Sequence, residues 1–217
     1  AGSLPITLRE IYAARLRIVP FARRTALLPS AELSALTGLS VHLKLENQQE
    51  TGSFKVRGAA SRILALGSEE RARGVVAVSS GNHGRAVACV AGRLGIPAVI
   101  CLSRNVPAVK VEAIRALGAQ VEVVGDSYDA AEEHAARLEA ERGLTWIDPF
   151  DHPHVIAGQG TIGLELLEQL PGLAAVVVPV SGGGLVAGIA IAVKALAPQV
   201  RVIGVSMDRG AAMQASA

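Results

Sequence analysis

Aromatic residues are scarce in this sequence: 3% of 217 positions, as one tryptophan, two tyrosines and three phenylalanines. A surface that stacks nucleic-acid bases needs aromatics interleaved with a basic stripe. Here 21 basic and 19 acidic residues give a net charge of only +2, with both signs spread along the chain, which argues against a polyanionic partner. Cysteine is rarer still. Cys89 and Cys101 lie inside apolar runs and read as small buried hydrophobes rather than a bridge, which fits a reducing, cytoplasmic setting. No apolar run reaches the roughly 18 residues of a membrane-spanning helix. Ala1-Gly2-Ser3-Leu4-Pro5 has no charged-then-apolar export pattern, so we expect no membrane partner.

Half the residues are hydrophobic, mostly Ala, Val, Leu and Ile, and there are 23 glycines. This is the composition of an α/β core with glycine at tight strand-to-helix turns. Apolar spacing predicts a helix over 6–17, and Ser30 caps a short helix that stops at Gly38. A strand over 41–46 and a loop over 47–53 lead into a helix over 53–66. After a polar segment, 67–74, strands at 75–79, 98–102, 120–124 and 144–147 alternate with helices at 83–94, 107–117 and 127–142. A helix over 158–170, a strand over 174–180, a helix over 184–196 and a strand over 200–205 follow. The order predicts parallel sheets covered by helices. It suggests a small βαβα domain at 74–147 and a larger, discontinuous cofactor-binding domain from 1–70 and 150–217. Ala211 to Ala217 follow a buried-type strand with nothing to cover it, so we expect the chain to be cut short.

Three stretches carry chemistry. Lys55, one of only four lysines, follows the Gly52-Ser53-Phe54 turn and opens an apolar helical run. Most lysines are solvated, but one aimed inward loses its proton more easily and can then form a Schiff base with a carbonyl. Ser79-Ser80-Gly81-Asn82-His83-Gly84 puts backbone N–H groups, two hydroxyls and an amide at a helix start, where a carboxylate can be captured. A well-capped helix start is the plain alternative there. His83 reads as a backbone anchor rather than a base. Ser181-Gly182-Gly183-Gly184-Leu185 follows an apolar strand and can wrap a phosphate. The same stretch also satisfies G-x-G-x-x-A, so a dinucleotide has to be weighed. The next strand ends on Ser206 and Met207 rather than on an acidic residue, which favours a single phosphate. A lysine, a carboxylate loop and a separate phosphate loop together suggest an aldehyde cofactor with one phosphate: pyridoxal phosphate.

Four blocks, Thr51-Gly52-Ser53-Phe54-Lys55-Val56-Arg57-Gly58-Ala59, Ser79 to Gly84, Ile156-Ala157-Gly158-Gln159-Gly160-Thr161 and Ser181 to Leu185, stand in the order and spacing of the serine/threonine dehydratase and serine racemase group. The chain resembles that group over nearly its whole length. The resemblance implies the fold type II (tryptophan synthase β-like) architecture, with its C-terminal part missing because the group normally continues well past residue 217. It implies that Lys55 holds the cofactor aldehyde and takes the Cα proton, with Phe54 beside the cofactor ring and Asn82 on its 3′-oxygen. Ser79, Ser80, Gly81, Asn82 and His83 would bind the substrate carboxylate. Ser80 would be the second acid/base in a racemase, and Ser181, Gly182, Gly183, Gly184 and Leu185 would hold the phosphate.

The implied reaction is dehydration of a hydroxy amino acid, L-threonine or L-serine, to a 2-oxo acid and ammonia. Racemisation and hydroxyectoine breakdown are the alternatives within the group. A catalytically inactive fragment and a dinucleotide-binding dehydrogenase are the alternatives outside it. A homodimer is expected, because dimers are common in the group and among oligomers generally. Where relatives hold a divalent cation, this sequence has Ser206 and Ala212, so no metal is expected. His152 and His154 lack a third ligand and read as a solvated loop. Phe150 is a weaker pocket candidate.

Overall fold

A computed structural model describes residues 6–207. The chain runs α1 (Leu8–Ile18), β1 (Leu27–Pro29), α2 (Ala31–Thr37), β2 (His42–Lys44), α3 (Lys55–Ile63), α4 (Ser68–Arg73) and β3 (Val75–Val78). It continues through α5 (Asn82–Leu94), β4 (Ala98–Leu102), α6 (Ala108–Arg115), β5 (Gln120–Val123), α7 (Tyr128–Arg142), β6 (Thr145–Trp146) and α8 (Pro153–Gln169). The last described elements are β7 (Ala175–Pro179), α9 (Gly184–Leu196) and β8 (Arg201–Val205).

β3 and β4 sit at the centre of a four-stranded parallel sheet of order β5-β4-β3-β6. Every residue of these two strands is buried, as expected for a parallel sheet covered on both faces. Successive side chains go to opposite faces. Val75, Ala77, Ala98, Ile100 and Leu102 join the core formed with α3, α5 and α6. Val76, Val78, Val99 and Cys101 pack on Ala131, Ala135 and Leu138 of α7. Cys89 and Cys101 are both free and buried, and burial pushes the Cys101 thiol up to about 11.

β7 and β8 form a second parallel pair, backed by α8 and α9 through Ile162, Leu166, Ile189 and Val193. The opposite face of the pair is open, with Val177 65% and Val205 53% exposed. Ala211 to Ala217, including the Ala212 named above, lie outside the described residues.

α8 is buried along most of its length and runs between α1, α3 and α9. Two glycine contacts set how close these helices come. A Cβ on Gly58 of α3 would lie 2.4 Å from Gln159 Nε2, and one on Gly188 of α9 would lie 2.3 Å from the Ile156 carbonyl.

The close α3–α8 approach buries a charged cluster. The Arg57 guanidinium, 1% exposed, donates to both oxygens of Glu46 at 2.8 Å. It donates to Glu165 at 2.6 and 2.9 Å, to Thr161 Oγ1 at 3.0 Å and to the Arg23 carbonyl at 3.0 Å. Lys44 completes the cluster on the Glu165 carboxylate.

The structure differs from the sequence reading in four places. β1 and β2 pair antiparallel, where only parallel pairing was expected. The strand predicted over 41–46 shortens to three residues, because Glu46–Gln48 turns as a 3₁₀ helix and carries the Glu46 carboxylate onto Arg57. The polar segment 67–74 holds a helix, α4, started by Glu70, whose carboxylate accepts the Gly67 N–H. α8 begins at Pro153 rather than 158. His152 caps it by accepting the His154 N–H on Nδ1, and Pro153 suits the first turn. The two histidine rings stack 5.6 Å apart within that cap.

Candidate active site

Lys55 is the first residue of α3 and is half-buried. Ser53 Oγ accepts the Lys55 backbone N–H at 3.4 Å, fixing the helix start, and Gly52 takes φ +76° in the turn before it. The Lys55 ammonium donates to the Pro149 carbonyl at 2.7 Å and lies 5.4 Å from the centroid of the Phe54 ring. Burial pushes the amine below the ordinary lysine range, opposed in part by the Asp148 carboxylate. Phe54 is packed against the β7–β8–α9 core, as is Leu185.

The 79–84 loop connects β3 to α5. Ser79 Oγ accepts the Gly81 N–H at 3.2 Å. A Cβ on Gly84 would lie 2.1 Å from the Ser79 carbonyl, so glycine there lets the first turn of α5 fold against the strand end. His83 is 4% exposed, and its Nε2 lies 2.7 Å from the Ile147 carbonyl, to which it must donate. Burial pushes its pKa down to about 4, so the ring is neutral and committed to that anchor. Ser79, Ser80, Gly81 at the helix start, and Phe54 are half-buried. Asn82 is exposed.

In the 181–185 loop, Gly183 takes φ +86°, a left-handed conformation that side chains disfavour. Gly182 and Gly184 are needed for a different reason. A Cβ on Gly182 would sit 2.3 Å from the Phe150 ring, and one on Gly184 would sit 2.3 Å from the Phe150 carbonyl. Ser181 is exposed, at the loop's outer end.

The three stretches therefore meet on one segment, Ile147–Asp151. Its Ile147 carbonyl takes His83, its Pro149 carbonyl takes Lys55, and Phe150 lies on the glycine loop. The sequence reading identified Phe150 only as a pocket candidate and did not identify the two carbonyls, because a backbone acceptor leaves no residue-type signature.

The donor set fits an aldehyde carrying one phosphate. The amine has a burial-lowered pKa. α5 and α9 start at Gly81 and Gly183 with no side-chain cap, as α3 and α6 do at Phe54 and Pro107, whereas α1, α2, α7 and α8 are capped by Thr7, Ser30, Ser127 and His152. Uncapped first-turn N–H groups, reinforced by the helix dipole, are acceptor-seeking sites for a carboxylate and a phosphate. Among the described residues, no group of three His, Cys, Asp or Glu could hold a metal ion, and no helix is long and apolar enough to cross a membrane.

The L-threonine ammonia-lyase of Thermotoga maritima is 49% identical over 211 residues, which cover 97% of this chain and 53% of the relative. Maize serine racemase superposes with a TM-score of 0.89 at 40% identity, over 93% of this chain and 61% of that one. The threonine deaminase of Solanum lycopersicum, in its processed isoform 2, does so with a TM-score of 0.86 at 38% identity, over 94% and 58%. The chain thus spans between half and two thirds of the length of these relatives. The family model described as pyridoxal-phosphate dependent enzyme matches residues 18–217, a range that takes in the lysine and both loops, and the chain belongs to that family.

Proposed function

We propose that this chain carries the catalytic core of a pyridoxal-phosphate-dependent ammonia-lyase. In this reading it dehydrates a hydroxy amino acid of the L-threonine or L-serine type to a 2-oxo acid and ammonia. The observation that carries the reading is the Lys55 amine: half-buried, lowered in pKa, and held 2.7 Å from the Pro149 carbonyl of a segment that also takes His83 of α5 and lies against Gly182 and Gly184.

In this reading Lys55 would hold the cofactor through its amine and, with substrate bound, would take the Cα proton as general base. Bound there, the cofactor supplies an electron sink for the Cα carbanion. Gly182, Gly183 and Gly184, with Ser181 and Leu185 at the ends of the loop, hold the phosphate on their N–H groups and on the α9 dipole. The first turn of α5, from Ser79 through His83, holds the substrate carboxylate on backbone N–H groups and the serine hydroxyls, while the His83 ring anchors the turn. Asn82 orients the ring oxygen, and Phe54 supplies an apolar wall beside the amine. The β-hydroxyl would leave as water with a proton given by the Lys55 ammonium or by the cofactor phosphate. Hydrolysis then yields the 2-oxo acid and ammonia, so the net change is loss of ammonia from the substrate.

A second reading is favoured by the similarity to maize serine racemase. Ser80 would return a proton to the face opposite Lys55, giving D-amino acid beside 2-oxo acid. We also propose the two-part division, with 74–147 as one unit and 1–70 plus 150–217 as the other. It is supported by a four-stranded sheet drawn wholly from residues 75–146. A homodimer, a cytoplasmic setting suited to free buried thiols, and no cation at the Ser206 position complete the proposal.

The test is the visible spectrum of the purified chain with pyridoxal phosphate, followed by borohydride reduction, peptide mass mapping, and assay of 2-oxo acid from L-threonine and L-serine. The expected result is a yellow species, one pyridoxyl label on Lys55, and 2-oxo acid release. A label scattered over Lys44, Lys110 and Lys194, or no coloured species, would overturn the reading.

A further inference from the structure

The Ile147–Asp151 segment does more than pass between β6 and α8. The Ile147 N–H bonds the Val76 carbonyl at 2.9 Å, which ties the segment to the central sheet, and His83 holds the Ile147 carbonyl from the other side. Beyond that anchor the chain turns at Asp148. Its Oδ1 accepts the Phe150 N–H at 2.7 Å and also the Asp151 N–H, the pattern of an Asx turn. Pro149 restricts φ within the turn. The turn thereby fixes two contacts at once: the Pro149 carbonyl that takes the Lys55 amine, and the Phe150 ring and carbonyl that lie against Gly182 and Gly184.

We infer that Asp148 is a positioning residue which, through the 148–151 turn, sets the place of the Lys55 amine relative to the glycine loop. The inference rests on reading Lys55 as the amine that captures the cofactor. It adds a residue that touches neither the cofactor loops nor the lysine by a hydrogen bond of its own. Asp148 acts in two separable ways. Its oxygen holds the turn, and its charge faces the amine and favours the ammonium. The other titratable group facing Lys55 is His83 on α5, which is uncharged at neutral and alkaline pH. Among the charges that face Lys55, only that of Asp148 therefore changes in the variants below.

The experiment reads the lysine itself, in the full chain without cofactor. Trace acylation across neutral to alkaline pH, with peptide mass mapping, gives the rate at Lys55 relative to the exposed Lys110. Asp148→Asn keeps a side-chain oxygen for the two N–H groups but removes the charge. Lys55 should stay slower than Lys110, yet react about two- to tenfold faster than in the parent chain at a pH where the parent amine is still mostly protonated. Asp148→Ala removes both functions, and Lys55 should approach the Lys110 rate.

Protection of Lys55 in Asp148→Ala equal to that in the parent chain overturns the inference. So does a Lys55 in Asp148→Asn that reacts as fast as Lys110, because that variant keeps the turn oxygen; this decides the matter alone if the alanine variant does not fold. Failure of the ammonia-lyase reading shows up separately, as a parent chain that takes no pyridoxyl label on Lys55 while this acylation contrast persists.

Discussion

Replacing Arg57 with alanine tests whether the α3–α8 contact depends on the buried charge cluster. One guanidinium serves two carboxylates, with six hydrogen bonds between 2.6 and 3.0 Å. Its removal leaves Glu165 with Lys44, but leaves Glu46 with only Thr25 Oγ1 at 2.6 Å and Gln49 Nε2 at 3.1 Å. Breaking a buried pair from one side costs about 3–5 kcal/mol, because a charge remains in a poorly solvated place. That is a large part of a typical domain stability of about 5–15 kcal/mol.

The loss should also depend on pH. In the parent chain, burial pushes the Glu46 carboxyl up, and the Arg57 hydrogen bond and charge outweigh it, so the net pKa lies below 4.5. A carboxyl with a depressed folded pKa contributes stability above its unfolded value and loses it only as pH falls through the folded value. The parent is therefore insensitive at this site between about pH 7.5 and 5. Without Arg57 the largest contribution opposing burial is gone and the Glu46 carboxyl moves up, so the deficit shrinks as pH falls. Urea unfolding of both proteins at the two pH values reads this directly. A loss of less than about 1 kcal/mol, or one that is the same at both pH values, would refute the reasoning.

Two further outcomes follow from single contacts. Gly184→Ala puts a Cβ 2.3 Å from the Phe150 carbonyl, a backbone atom that cannot swing away. It should cost about 1–3 kcal/mol in stability and weaken pyridoxal phosphate binding. Gly172→Ala meets nothing within 4 Å and serves as the control, and equal melting temperatures and affinities for the two variants would contradict the packing argument. His83→Gln keeps a donor for the Ile147 carbonyl but cannot titrate. The depressed His83 pKa gives stability that is present above 6.5 and lost as pH falls toward about 4, so the variant should show a flatter acid limb of stability over that range. An identical limb in both proteins would show that His83 is not the titrating group.

The central strands were legible in the sequence because each is an uninterrupted apolar run, and such runs between glycine turns have few other uses. α9 and β4 have the bounds the sequence predicted for the same reason. The misses have specific causes. α4 is polar apart from Ala72 and has no buried residue, so it carries no apolar periodicity, and only the Glu70 box marks its start. β1 is three residues ending in proline, too short to show alternation. The start of α8 was read as loop because histidine is an unusual cap and His-Pro-His looks like a turn. Arg57 stood in a quoted motif, yet its burial was invisible because its partner Glu165 lies 108 positions away. At the candidate site the side chains could be identified and the carbonyls could not. The lysine, the loop serines and the glycines announce themselves by type, whereas Ile147 and Pro149 act through backbone oxygens that any residue possesses.

The glycine loop shows why a motif can point to the right place for an incomplete reason. The phosphate argument needs backbone N–H groups free to converge, and three glycines permit that. In the fold, two of the three are also required by a neighbour on the same chain, because the Phe150 ring and carbonyl occupy the space a Cβ would need. Only Gly183 is demanded by its own backbone conformation. The loop is thus constrained from both sides, by the anion it is suited to hold and by the turn that carries the Lys55 acceptor. A change to the 148–151 turn should therefore be felt at the phosphate end of the site and at the amine end together. That coupling follows from one segment touching both, and it requires no movement of the sheet beneath them.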